Sequence, residues 1–363
     1  MQKLPEYKEP LPIGKAKLEF LVNEQGMVSM RISGSGFRGL YQIAVGYPSG
    51  IPLAVVPPTG LGVPLPPYPK PSILAWIMSD QHGMWGRNCP FCRTYFRTNH
   101  IMGNTMCPYC GNWADSLPFI TEAQGRYAAA FCNAFIEAGQ KKTAITIDLE
   151  TVTDTKAEWK YAEERQQFHF KCANCDAEVD ILGEYGWCPK CGQTNGKEVI
   201  NLKLKQLEEA FDKADKNITD RAERGQQWEE INGKLFSCFE ALGRHIQTIL
   251  VKFPATPSRK KEAETLSFQR LHEARESLKQ WYGIDIFKGV SLHDQKLLNL
   301  MLNQRHIIEH NGGKVDEKYL NQTEDKGARL NERIRIGSNR IRHLVPVIRS
   351  ISTNLLEGFE SLK

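Results

Sequence analysis

Hydrophobic positions follow two regimes along this chain. Between residues 15 and 57 they alternate with polar ones: Leu18, Phe20 and Val22, then Val28, Met30 and Ile32, then Tyr41, Ile43, Val45 and Tyr47. A period of two is the spacing of strands that bury one face. Gly34, Gly36, Gly39 and Gly50 interrupt the runs, so short strands joined by turns are expected. From Leu202 onward the spacing lengthens to three and four. Trp228, Ile231, Leu235, Cys238, Leu242, Ile246, Ile249 and Phe253 form one apolar stripe over 227–253, the pattern of a helix facing a core. Further helices are expected over roughly 262–282 and from Ser291, with Asp294 as capping partner, to Asn311. Another is expected over roughly 338–361, where Ile341, Leu344, Ile348, Ile351, Leu355 and Phe359 repeat. Short connections between amphipathic helices suggest an up-and-down bundle.

The segment between these regimes is less regular. Pro52 to Pro71 holds eight prolines, which reads as a stiff linker or irregular crossing. Thr121 followed by Gln124 is a capping-box pattern, and Tyr127, Phe131 and Phe135 continue at helical spacing. Cys132 on that helix and Cys238 on the long stripe read as small buried residues. The fold class that emerges is α+β and multidomain, with four expected segments. They are a β-rich region with a proline-rich linker (1–71), a cysteine cluster plus helix (72–140), a connector with a second cysteine cluster (141–200) and an all-α bundle (201–363).

Composition is that of an ordinary globular protein, 41% hydrophobic and 25% charged. No stretch approaches the roughly 18 apolar residues of a membrane span. Met1 to Lys17, with Pro5, Pro10 and Pro12, lacks the apolar core of a signal peptide, so a cytoplasmic protein with no membrane partner is expected. The net charge of +5 is carried by the C-terminal part: residues 201–363 hold 28 Lys and Arg against 23 Asp and Glu. That is a mild indication of an anionic partner.

The ten cysteines carry more information. Eight fall into four Cys-x-x-Cys pairs, and in a reducing compartment such pairs read as metal ligands. Cys89, Cys92, Cys107 and Cys110 form the first set; Cys172, Cys175, Cys188 and Cys191 form the second. Spacers of 14 and 12 residues separate the pairs. Gly111 and Gly192 follow the last cysteine of each set, where a positive φ is useful. Two such knuckles close a tetrahedral four-thiolate site, so two structural Zn2+ ions of the zinc-ribbon class are expected. Iron takes the same four ligands in rubredoxin-like sites, and spacing alone does not separate the two. Phe91, Arg93, Tyr95, Phe96 and Arg97 beside the first set suit either stacking and phosphate contact or packing of the small core. His82, His100 and His169 are surplus to the ligand count.

The expected helix ending at Asn311 reads Arg305-His306-Ile307-Ile308-Glu309-His310-Asn311 before Gly312-Gly313. His306 and His310 share a face, and Arg305 borders it from the side. A guanidinium with an imidazole is the minimal equipment for metal-independent cleavage of an RNA phosphodiester. A structural helix end would use the same residues.

Arg305, a polar His306, then His310 on an all-helical domain resembles the HEPN superfamily, whose motif is Arg-x(4–6)-His. The continuation Asn311 to Tyr319, Asn-Gly-Gly-Lys-Val-Asp-Glu-Lys-Tyr, is similar to a run in HEPN proteins of bacterial defence and toxin systems. The resemblance covers about residues 202–363. It implies a metal-independent endoribonuclease in which Arg305 and His310 are catalytic and His306 is the supporting polar residue. Asn311 would orient phosphate or His310. It also implies RNA as substrate, a homodimer through the helical domain with both motifs in one cleft, a toxin or antiviral role, and a protein partner such as an antitoxin. The helix-length stretch 202–225 is additional to the family pattern. The competing expectation is a non-catalytic adaptor that binds nucleic acid or protein, with the ribbons as scaffold.

Overall fold

The computed structural model divides the chain into two compact units, Met1–Asn195 and Gly196–Lys363. It describes residues 15–35, 38–57, 64–79, 82–148, 167–253, 256–323 and 325–362. Expectations resting on the first 14 residues, on Gly36 and on the middle of the proline-rich stretch lie outside the described residues. Strands in the first unit and helices in the second give the α+β class.

In the first unit, strands β1 (Lys15–Val22) and β2 (Val28–Ser35) form the expected hairpin, with Leu18 opposite Ile32 and Phe20 opposite Met30. Strand β3 (Leu40–Gly46) is central to a second sheet, between β4 (Pro52–Val56) and β5 (Ser72–Met78). Strand β4 uses the start of the stretch read as a linker. Pro52 opens an edge strand, where a missing N–H forfeits no ladder bond.

Helix α1 (Glu122–Lys141) starts at the expected box. The Gln124 N–H donates to Thr121 Oγ1 and the Thr121 N–H to Gln124 Oε1, each at 3.1 Å. Its apolar face shares one core with both sheets: Tyr127, Phe131 and Cys132 are buried with Leu18, Phe20, Ile43 and Ile77. Phe20 and Phe131 meet edge to face at 5.1 Å. Cys132 is core, as its helical position suggests.

Both cysteine sets lie in this unit and share one sheet. Strands β6 (Trp85–Asn88) and β7 (Tyr95–Thr98) belong to the first set, which adds the hairpin β8 (Asn104–Met106) and β9 (Trp113–Asp115). Strand β10 (Ile145–Asp148) returns to the free edge of β1. Strands β11 (Gln167–Lys171) and β12 (Glu178–Leu182) belong to the second set. The four-stranded order is β11-β12-β7-β6. Aligned on their cysteines, β6 corresponds to β11 and β7 to β12, so the order is the same from either edge. Arg97 lies five residues after Cys92, and Asp180 five after Cys175. These equivalent residues are direct partners in the antiparallel β12·β7 pair. Equivalent strands pairing antiparallel through equivalent residues define a local twofold axis between Arg97 and Asp180. Reciprocal bonds obey it: the Met106 N–H donates to Pro189 O and the Trp187 N–H to Pro108 O, at 2.9 and 3.0 Å.

The second unit is helical: α2 (Gly196–Asn217), α3 (Arg221–Leu250), α4 (Pro257–Glu264), α5 (Leu271–Tyr282), α6 (Leu292–Asn311), α7 (Glu317–Gln322) and α8 (Ser338–Glu360). Helix α3 packs against α2, α6 and α8 and buries Ile231, Leu235, Cys238, Leu242 and Ile246. Phe253, the last residue of the expected stripe, lies past the helix end and is exposed. The single helix expected over 262–282 is two helices, α4 and α5. Phe268 in the break fills the notch over Gly243 so closely that a Cβ there would lie 2.3 Å from its ring. The Gln247 side-chain amide donates to Ala263 O at 2.7 Å and Leu266 O at 3.1 Å, bracing the break from α3.

Candidate metal centres and candidate active site

All four knuckles have one construction. The first cysteine's N–H donates to the carbonyl five residues on: Cys89 to Thr94, Cys107 to Asn112, Cys172 to Ala177 and Cys188 to Gln193, at 2.7–3.1 Å. The residue after the second cysteine donates back to the first cysteine's carbonyl: Arg93, Gly111, Asp176 and Gly192, at 2.9–3.0 Å. Each of those four residues has a positive φ, between 58° and 73°. Glycine supplies that conformation at Gly111 and Gly192, as expected. Arg93 and Asp176 adopt it despite their Cβ atoms.

This construction aims the sulfurs at a common point. The Phe91 and Cys92 N–H groups point at Cys89 Sγ at 3.4 and 3.5 Å, and the Tyr109 N–H at Cys107 Sγ at 3.4 Å. In the first set Cys89 Sγ is 3.7 Å from Cys110 Sγ, and Cys92 Sγ is 3.7 Å from Cys107 Sγ. In the second set the corresponding separations are both 3.5 Å. A tetrahedron with metal–sulfur bonds of about 2.3 Å has edges of about 3.8 Å, so the donors fit such an ion with little adjustment. Among the described residues, these two sets are the groups of cysteine, histidine or carboxylate that converge closely enough to hold a metal.

The thiols by themselves make an uneven, proton-sharing cluster. Hydrogen bonding between Cys107 and Cys110 raises the first and lowers the second to about 5, and burial lifts Cys89 to about 11. A dication displacing the remaining protons resolves that conflict. Four soft donors and no open position suit structural zinc, and each set could hold one ion.

Of the residues flanking the first set, Tyr95, Phe96 and Arg97 are buried and serve packing, while Phe91 and Arg93 are exposed. His100 is held at Asn104 O through Nε2, at 3.3 Å, away from the ligand role.

The second candidate site is the C-terminal end of α6. Ser291 caps its start, accepting from the Asp294 N–H at 3.1 Å. Gly312 and Gly313 end it with positive φ, and the Gly313 N–H donates to Ile307 O at 2.9 Å. Arg305, His306 and His310 line one open cleft of about 390 Å3, with Glu309 of α6 and Lys318 of α7. The two imidazole rings are 4.7 Å apart and tilted by 55°.

Arg305 is anchored twice. Its Nε donates to Glu309 Oε1 at 2.8 Å, and its Nη1 donates to Glu240 on α3. Glu240 is buried. Burial works against the Arg305 charge, and bonding to the two carboxylates outweighs it, so its pKa is raised. Nη2 has no partner among the described residues. Asn311 is elsewhere: its Nδ2 donates to Lys314 O at 2.8 Å and it shapes the turn after the helix.

The residues after the motif are folding residues. Asp316 caps α7, accepting from the Tyr319 N–H at 2.7 Å. Val315 and Tyr319 pack with Ile307 and Ile334. The Tyr319 hydroxyl donates to Asp325 at 2.8 Å, and buried Gln304 donates to both, which ties the following segment beneath α6. Neither Glu309 and Lys318, which line this cleft, nor Glu240, which holds Arg305 from α3, is among the residues the sequence pointed to. Glu309 carried a readable signal, its position four after Arg305. Glu240 and Lys318 carried none.

No protein-family model, no curated protein and no solved structure matches this chain. Among the described residues no helix is long and apolar enough to cross a membrane.

Proposed function

We infer that the helical unit is a metal-independent endoribonuclease of the HEPN type, built on a chain whose ribbon pair holds two structural zinc ions. What carries this reading is the meeting of Arg305, His306 and His310 in one open cleft at a helix end. An imidazole there takes the proton of the attacking 2′-hydroxyl or returns one to the leaving oxygen. The guanidinium stabilises the charge growing on the phosphorus-bound oxygens. Glu240 and Glu309 fix its plane while Nη2 remains for the phosphate. By the same resemblance, two copies pair through the helical unit and the role is that of a toxin or antiviral effector. The ribbons then serve recognition of substrate or trigger.

The test is cleavage of a fluorescent single-stranded RNA by the zinc-loaded chain, with no divalent metal added. His310→Ala should slow cutting by about 10²–10⁴-fold. Arg305→Ala is a poor probe, because it leaves Glu240 buried without its cation at a cost of about 3–5 kcal/mol. Arg305→Lys keeps the charge and loses the fork geometry. Equal cutting by wild type and His310→Ala would end the nuclease reading.

A second reading is favoured by the same pair of carboxylates. Two acids on one guanidinium leave that cluster with net negative charge, which suits a structural strut in a non-catalytic binding protein. RNA or protein binding without cleavage, unchanged in His310→Ala, would be its signature.

A further inference from the structure

We propose that a second cleft of the helical unit binds the phosphate groups of ribonucleotides, carried by an RNA strand or a free nucleotide. It lies between the first turns of α3 and the extended segment 333–337 and measures about 830 Å3. That exceeds a single phosphate and falls within the range of ligand sites. Arg221, Arg333 and Arg335 line it, with Trp228 as apolar wall and Glu223 and Glu229 as the acids.

The arginines are presented by an ordered backbone. In the extended segment Ile334 and Ile336 are buried while Arg333 and Arg335 are exposed, so the period of two sets both cations on one face. The backbone is pinned beside the end of α6: the Val315 N–H donates to Glu332 O at 2.9 Å and the Ile334 N–H to Gly313 O at 2.8 Å. The Arg333 side chain lies over Gly313, three residues past His310.

Two of the three charges are not spent within the protein. Arg333 meets Glu229 at 3.3 Å. Arg221 and Arg335 have no acidic partner among the described residues. Arg221 also opens α3, where the helix dipole disfavours a cation. Guanidinium forks match phosphate oxygens two at a time, which lysine or a solvated surface charge does not. An RNA strand gripped here would be held against the same loop that leaves the histidine-bearing helix.

The experiment uses the full zinc-loaded chain with His310→Ala, so that binding is read without cutting and its failure leaves the cleavage test untouched. Anisotropy of a short fluorescent single-stranded RNA is followed over a range of salt concentrations. Adding Arg221→Gln and Arg335→Gln should weaken binding at least about tenfold and shrink the log–log salt slope by about 1.4, two phosphates at about 0.7 each. Lys203→Gln with Arg244→Gln, at basic positions elsewhere on α2 and α3, should do much less. Uridine and adenosine mononucleotides are titrated in parallel: arginine-dependent binding of these without RNA binding identifies the free nucleotide as the source. Unchanged affinity for both ligands in the arginine variant, or an equal loss in the control, overturns the proposal. Circular dichroism of each variant confirms that the helices are retained.

Discussion

Arg97 and Asp180 occupy equivalent positions in the two ribbons and face each other across the local twofold axis that relates them. Arg97 Nε and Nη2 both donate to Asp180 Oδ2, at 2.9 and 2.8 Å, and both side chains are buried. A residue on such an axis meets its own counterpart. Identical charges there would repel in a medium that screens them poorly, and opposite ones turn the contact into a clamp.

Asp180→Ala should therefore leave a buried, uncompensated guanidinium and destabilise the first unit by about 3–5 kcal/mol. The double variant Arg97→Met with Asp180→Leu removes both charges and should recover most of that loss. Thermal unfolding of the zinc-loaded chain measures all three. A double variant no more stable than Asp180→Ala would mean that the two side chains are not coupled.

Four knuckles share one left-handed residue, and only two of them use glycine for it. At Arg93, with φ of 58°, the Cβ meets the penalty of about 1–2 kcal/mol that left-handed backbone imposes. Glycine removes that penalty and gives back about 0.5–1 kcal/mol through the freedom of its unfolded chain. Arg93→Gly should accordingly gain about 0.5–1 kcal/mol in denaturant titration. Asp176→Gly should gain less, since aspartate tolerates the conformation better and Asp176 meets Lys171 at 3.0 Å. Gly192→Ala should lose stability for a second reason as well, because its Cβ would sit 3.0 Å from the Trp113 ring.

What the sequence made readable was local. Thr121 with Gln124, Ser291 with Asp294, and the cysteine spacings all concern residues a few positions apart, where geometry follows from backbone period alone. The shared ribbon sheet rests on Arg97 and Asp180, 83 residues apart, and nothing in either ribbon's pattern signals that pairing. Tyr95, Phe96 and Arg97 read as stacking surface or as core, and the contacts of the folded unit, Phe96 on Phe119 and Arg97 on Asp180, decide for core. The break between α4 and α5 has the same origin, since Phe268 is drawn out of helical register by a notch at Gly243 on another helix. Glu240 lies on the α3 stripe's flank, and its meeting with Arg305 depends on where α3 crosses α6.

The reciprocal bonds between Met106 and Pro189 and between Trp187 and Pro108 join the second knuckle of one ribbon to that of the other. The two metal centres should then be coupled. Metal analysis should give two zinc ions per chain, one for each four-cysteine set. Cys110→Ser should lose the first ion and speed release of the second to a chelator. Stripping both should unfold the first unit while the helical signal of α2–α8 persists. An unchanged release rate for the second ion in Cys110→Ser would show that the shared sheet does not transmit the loss.

Acid should loosen the ground beneath the motif helix through Asp325. Burial works to raise its pKa, but the Tyr319 hydroxyl and the Arg340 guanidinium outweigh that, and the folded-state pKa lies below the usual carboxylate value. A carboxyl depressed on folding contributes stability that is complete above its unfolded pKa of about 3.9 and disappears as pH falls through the folded value. The helical unit should thus hold its stability from neutral pH down to about 5 and lose part of it below about 4. Asp325→Asn removes the titration while retaining an acceptor for Tyr319, at the expense of the ion pair with Arg340, found at 3.2 Å. It should be less stable than wild type at pH 7 and show a shallower loss on acidification. Urea midpoints measured from pH 7 down to 3 would read both effects, and parallel curves for the two proteins would remove Asp325 from the account.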